Sequence, residues 1–194
     1  MNKLLMAMLV LWIPLSAIAG KTECDFPAGM VKQVPPPNAA TIAAYQWDAG
    51  PDKKGSGEHI QTLRILYKNG DHAVILHSYC TVYYLEINYF RNRQNDDMDA
   101  KTIVKLVADM YSQYYAAPEK VTFSKPLSEI ITTTFTQQKF DRKKDFDYGL
   151  PDDDVSYPNK LIEYSIVYKL LDEYSASGIY SSVIRFDMAI GVAS

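Results

Sequence analysis

Between Ile60 and Phe90 the chain holds one glycine, Gly70, and no proline, and apolar side chains recur at every second residue over much of that length. A two-residue period puts successive side chains on opposite faces of an extended backbone, so this stretch is committed to paired strands. Leu63, Ile65 and Tyr67 alternate with Thr62, Arg64 and Leu66, and Lys68-Asn69-Gly70-Asp71 follows. Asn-Gly accepts the positive φ angles of a type I′ turn, which predicts a hairpin returning through Ala73 to Tyr79. The alternation resumes at Thr81, with Tyr83, Leu85, Ile87 and Tyr89 on one face and Val82, Tyr84, Glu86, Asn88 and Phe90 on the other. Run straight, the twenty residues from Asp71 to Phe90 would span about 66 Å at ~3.3 Å per residue, too long for a domain of this size. A bend or bulge is therefore expected near Ser78. The odd-numbered aromatics suit a buried pleated surface, whereas Tyr84 and Phe90 share their face with Glu86 and Asn88 and are left to pack under a helix or to face solvent.

After the strands, Asp96-Asp97-Met98-Asp99 offers helix caps, and Ile103, Leu106, Val107, Met110, Tyr111 and Tyr114 follow at helical spacing. This predicts an amphipathic helix from Asp99 to Tyr115, ending before Pro118, whose stripe covers a sheet. Residues 120–140 are mixed: Leu127, Ile130, Ile131 and Phe135 fit a helix after Pro126, while Thr132-Thr133-Thr134 favours strand. The balance tips toward helix. Two strands close the chain, with Ile162, Tyr164, Ile166, Tyr168 and Leu170 alternating in one and Tyr180, Ile184, Phe186, Met188, Ile190 and Val192 in the other. Strands at both ends with helices between them predict a single α+β domain over residues 60–194, with an antiparallel sheet of about five strands covered by one or two helices.

The N-terminal region reads differently. Lys3, an apolar run from Leu4 to Leu15 and the small residues Ala17 and Ala19 make the three-part pattern of a signal peptide over residues 1–19. Pro14 interrupts that run, which is too short for a retained span of about 20 residues. Cys24 stands five positions beyond Ala19 and so does not match a lipid-anchor cysteine. Residues 20–59, punctuated by Pro27, Pro35-Pro36-Pro37, Pro51 and Gly55-Ser56-Gly57, read as an extended segment, with a short strand or helical turn near Ala43–Trp47. Cys24 and Cys80 are the only cysteines, and two cysteines in a small exported domain are expected to pair. Periplasmic or secreted localisation follows, with no membrane anchor once the leader is removed.

Loss of residues 1–19 takes one lysine and no acid from a net charge of −3, leaving −4. A mildly acidic chain lacks the basic stripe that nucleic acid requires. His59, His72 and His77 form no ligand pair; His72 and His77 are five apart on one predicted strand and point to opposite faces. No phosphate-binding glycine loop, nucleophile elbow or His-Glu-x-x-His occurs, and no catalytic, metal or cofactor residues are assigned. The stretch KKDFDYGLPDDDVSYP, residues 143–158, is the most distinctive remainder, read as part of a long polar loop from Asp141 to Pro158. An EF-hand does not fit it, since Gly149 falls fifth from Asp145 and Ser156 occupies the place of the closing glutamate.

Acidic and aromatic side chains together suit insertion into a basic cleft, because tyrosine brings contact area and aspartates speed encounter with a cationic site. Asp145, Asp147, Tyr148, Asp152, Asp153 and Asp154 are the candidate partner-binding residues. The expected function is an exported, soluble protein-binding domain, an inhibitor or immunity protein whose partner is another envelope or secreted protein. The alternative is a periplasmic hydrolase or small-ligand-binding protein with its pocket between the sheet and the helix Asp99–Tyr115.

Overall fold

The computed structural model describes residues 24–50, 57–95, 99–116, 122–123, 125–141, 143–149, 155–156, 160–171 and 178–192. The expected signal peptide lies outside them. Strands β1 (Ile42–Ala49), β2 (His59–Tyr67), β3 (His72–Tyr79) and β4 (Val82–Asn92) are followed by helix α1 (Ala100–Tyr114), strand β5 (Thr122–Phe123) and helix α2 (Leu127–Gln137). Strands β6 (Phe146–Gly149), β7 (Val155–Ser156), β8 (Lys160–Leu170) and β9 (Tyr180–Val192) complete the chain. Seven strands form one antiparallel sheet in the order β1-β2-β3-β4-β9-β8-β6, and β5 pairs with β7 separately. The fold is α+β with two helices, and the sheet has seven strands where the sequence suggested about five.

The two additional strands are edges. β1 lies within the segment read as extended, and β6 within the stretch read as a polar loop. β1 has no buried residue and β6 is four residues long, so neither shows the apolar two-residue period that marks a strand in sequence. Asp145 helps to dock β6, its Oδ1 accepting from the Leu170 N–H at 3.0 Å.

One face of the sheet is the core. Leu63, Ile65, Ile75, Tyr79, Tyr83, Leu85, Ile87, Tyr89, Ile166, Ile184, Phe186, Met188 and Ile190 are buried there, together with Ile103, Val107 and Met110 of α1 and Ile130, Ile131 and Phe135 of α2. Asp99 caps α1 by accepting from the Thr102 N–H at 2.8 Å. In α2 the hydroxyls of Thr132, Thr133 and Thr136 donate to carbonyls four residues back, which lets a threonine-rich run stay helical. The N-terminal segment joins the same core through Phe26 and Val31. It is held by the Cys24–Cys80 disulfide and by the Phe26 N–H donating to the Cys80 carbonyl at 2.8 Å.

Local geometry refines three expectations. The β2–β3 hairpin forms, but Asn69 keeps a negative φ and Gly70 alone is left-handed at 84°. Tyr67, Lys68, Asn69 and Gly70 make a turn closed by the Gly70 N–H on the Tyr67 carbonyl at 3.0 Å, and the Asn69 side chain accepts from the Asp71 N–H at 3.1 Å. This is a three-residue loop with a glycine bulge rather than a type I′ turn. The bend expected near Ser78 is a full reversal at Cys80-Thr81, where Tyr79 pairs with Tyr83. Tyr180 leaves the core alternation: a register shift opposite Arg91 and Asn92 turns it to the other face, with its ring 5.6 Å from Phe90 and 6.3 Å from His72.

Candidate functional site

The second face of the sheet, here the outer face, is covered by neither helix. Its rows follow from register. Ser165 of β8, Asp187 of β9, Glu86 of β4 and Leu76 of β3 are successive cross-strand partners. The next row in one direction runs Glu163, Ala189, Tyr84 and Ser78, and the next in the other runs Asp147, Val167, Arg185, Asn88 and Val74. Two carboxylates, Glu86 and Asp187, thus stand directly opposite each other, an arrangement that repels unless donors intervene.

Donors do intervene, incompletely. The Tyr84 hydroxyl lies 3.0 Å from Glu86 Oε2 and 3.0 Å from Asp187 Oδ1. Asn88 donates to Glu86 Oε1, and Ser165 donates to Asp187 Oδ2 at 3.1 Å. Arg185 Nε comes within 2.9 Å of Asp187 Oδ2 as an ion pair but without the alignment of a hydrogen bond. A phenol has one proton and serves one carboxylate at a time, so among the described residues the array is a donor short. Burial first, and then the charges of Asp187 and Glu86, hold the Tyr84 phenol protonated far above its ordinary range. Tyr84, Glu163, Ser165, Asp187 and Ala189 line a shallow depression of about 300 Å³ over this array. Four residues along β4 from Glu86, about 13 Å away at ~3.3 Å per residue, Phe90 stacks on His72 and packs at a tilt against Tyr180.

Of the partner-binding residues expected from sequence, Asp145, Asp147 and Tyr148 lie at or beside β6. Asp147 is exposed on β6 in the outer-face row of Val167 and Arg185. Tyr148, also on β6, pairs with Ile166 of β8, and the Asp145 carboxylate accepts from the Leu170 N–H at the end of β8. Asp152, Asp153 and Asp154 lie outside the described residues. Sequence reasoning isolated Tyr84 and Phe90 but missed Asp187 and Ser165, because nothing local links Tyr84 to a residue 103 positions away.

A cavity of about 230 Å³ lies between Trp47 and His77 of the sheet, the α1 end and the segment Met30–Pro37. His77 is 1 % exposed, and burial lowers its pKa from 6.5 to about 4. A base depressed on folding contributes stability in full above its unfolded pKa and loses it as pH falls toward the folded value. Between pH 6.5 and 4.5 the parent is expected to lose about 2 to 3 kcal/mol from this group alone. Urea denaturation at several pH values should show that slope in the parent and a shallower one in His77→Gln; equal slopes would remove His77 as the cause.

A larger apolar cleft of about 570 Å³ lies between α1 and α2, lined by Val104, Phe135 and Phe140 with Lys101 and Lys139. Among the described residues no group of three or more His, Cys, Asp and Glu side chains could hold a metal ion, and no helix is long and apolar enough to cross a membrane. No protein-family model matches the chain, and no curated protein and no solved structure matches it.

Proposed function

We propose that the chain is an exported protein-binding domain of the inhibitor or immunity type, with its contact surface on the outer face of the sheet. The observation that carries this reading is the donor deficit at Tyr84, Glu86 and Asp187. A lysine or arginine of the partner, laid in the depression over Asp187, would supply the missing donors and a compensating charge. Phe90, Tyr180 and His72 add an apolar anchor at the other end of the same face, the usual companion of a charged contact in a protein interface. The disulfide accords with an oxidising compartment, where inhibitors of envelope or secreted enzymes act. The acidic character expected of residues 145–154 is kept, and its centre moves from the loop to β4 and β9, with Asp147 at the margin.

The test compares capture from envelope and secreted fractions by the parent, by Glu86→Gln/Asp187→Asn and by Asp152→Asn/Asp153→Asn/Asp154→Asn. A partner held by the parent should bind the first variant about tenfold or more weakly and with a flatter salt dependence, as expected when charged hydrogen bonds are lost. The loop variant should retain it. The reverse pattern would return the interface to the loop.

A further inference from the structure

On the core face, His77 is an imidazole set among apolar and aromatic neighbours. Its ring stacks on Trp47 at 6.3 Å and 23°, and its Nδ1 is 3.2 Å from the Tyr83 hydroxyl. That hydroxyl already accepts from the Ala116 N–H at 3.1 Å. Tyr83 is fully buried, and among the described residues its proton has one acceptor, His77 Nδ1. Nδ1 therefore accepts, and the neutral ring carries its own proton on Nε2. No described residue accepts from Nε2. His77 is only 1 % exposed, so Nε2 has little access to solvent, and a leucine at this position would fill the same space with no donor to satisfy.

His77 borders the cavity beneath the Met30–Pro37 segment. With Nδ1 turned to Tyr83, Nε2 is the ring nitrogen left to face that space. We propose that this cavity binds a small aromatic carboxylate, whose oxygen accepts the hydrogen bond from His77 Nε2. Size supports the class: an apolar cavity of about 150 Å³ holds a benzene ring, and this one, at about 230 Å³, has room for a ring with a short polar substituent. Trp47 and Tyr115 supply aromatic walls, and among the described residues Lys32 is the one formally charged side chain of the lining, its sign favouring an anion. The wall is organised in advance, since Trp47 Nε1 donates to the Val34 carbonyl at 2.9 Å and fixes the start of the Pro35–Pro37 run. This site is separate from the outer face and does not depend on it.

Benzoate is the probe, and toluene, which lacks the acceptor, is the control. Trp47 is the only tryptophan after residue 19, so its fluorescence reports on the cavity. Benzoate should quench it saturably and shift the His77 Nε2 resonance of nitrogen-labelled protein, while toluene should leave that resonance in place. His77→Phe should weaken benzoate about tenfold or more, the loss expected for a hydrogen bond to a charged acceptor, and leave toluene unaffected. Should that variant fail to fold, the Nε2 shift in the parent decides alone. No saturable benzoate response, an unshifted Nε2, or equal affinity in a folded His77→Phe would each overturn the proposal.

Discussion

Replacing Asp71 with alanine should cost about 3 to 5 kcal/mol of folding stability, the range found when one partner of a buried ion pair is removed. Asp71 is wholly buried at the end of the β2–β3 hairpin. Its carboxylate accepts from the Tyr89 hydroxyl at 2.6 Å, from Arg91 at 3.1 Å, from the Asn92 N–H at 2.8 Å and from Asn69 Nδ2 at 2.8 Å. One side chain thereby joins the hairpin tip to the far end of β4. Burial, and then the nearby Asp71 charge, pushes the Tyr67 phenol up to about 12. Alanine would leave a tyrosine hydroxyl and a backbone N–H without this acceptor and Arg91 without this counter-charge. Asparagine should recover only part of the loss, because its amide nitrogen would face donors. Urea denaturation measures both variants, and an Asp71→Ala/Arg91→Ala cycle separates the pair energy from the rest. A loss below about 1 kcal/mol for alanine would mean that solvent replaces the carboxylate, against its burial.

The Cys24–Cys80 bridge should contribute a comparable amount by a different route. It joins residues separated by 56 positions, and closing a loop of that length in the unfolded chain is worth roughly 4 kcal/mol. Cys24→Ala/Cys80→Ala should therefore lower the melting temperature clearly, and native protein should show no thiol to an alkylating reagent. Phe26 gives the folded-state half of the effect: it is 1 % exposed and packs 5.9 Å from the Tyr83 ring. Phe26→Ala with the bridge intact should cost about 3 kcal/mol or more as a core truncation. If the double alanine variant melts like the parent, the N-terminal segment is held by Phe26 packing and the Phe26–Cys80 backbone bond, and the bridge adds nothing.

Much of the core was legible because it depends on period alone. Leu63 and Ile65, then Tyr83 to Tyr89, declared the buried face by alternation, and α1 declared its cap and stripe through Asp99, Ile103, Val107 and Met110. The spacing of Leu127, Ile130, Ile131 and Phe135 outweighed the threonines of α2, since hydroxyls can bond within a helix. The cysteine pair followed from number and from the compartment expected of the sequence. What the linear order could not carry was which strands lie side by side. β1 and β6 became edge strands through partners elsewhere in the chain, and one register shift moved Tyr180 out of the core series. The opposition of Glu86 and Asp187 arises from pairing β4 with β9, nearly the whole domain apart in sequence. The tautomer of His77 likewise depends on Ala116, the residue that engages Tyr83 from beyond the end of α1. Periodicity is a property of neighbours along the backbone, so sequence alone determined which side of each element is apolar; register and packing join distant residues, so only the tertiary structure decided which polar groups meet and which are left a partner short.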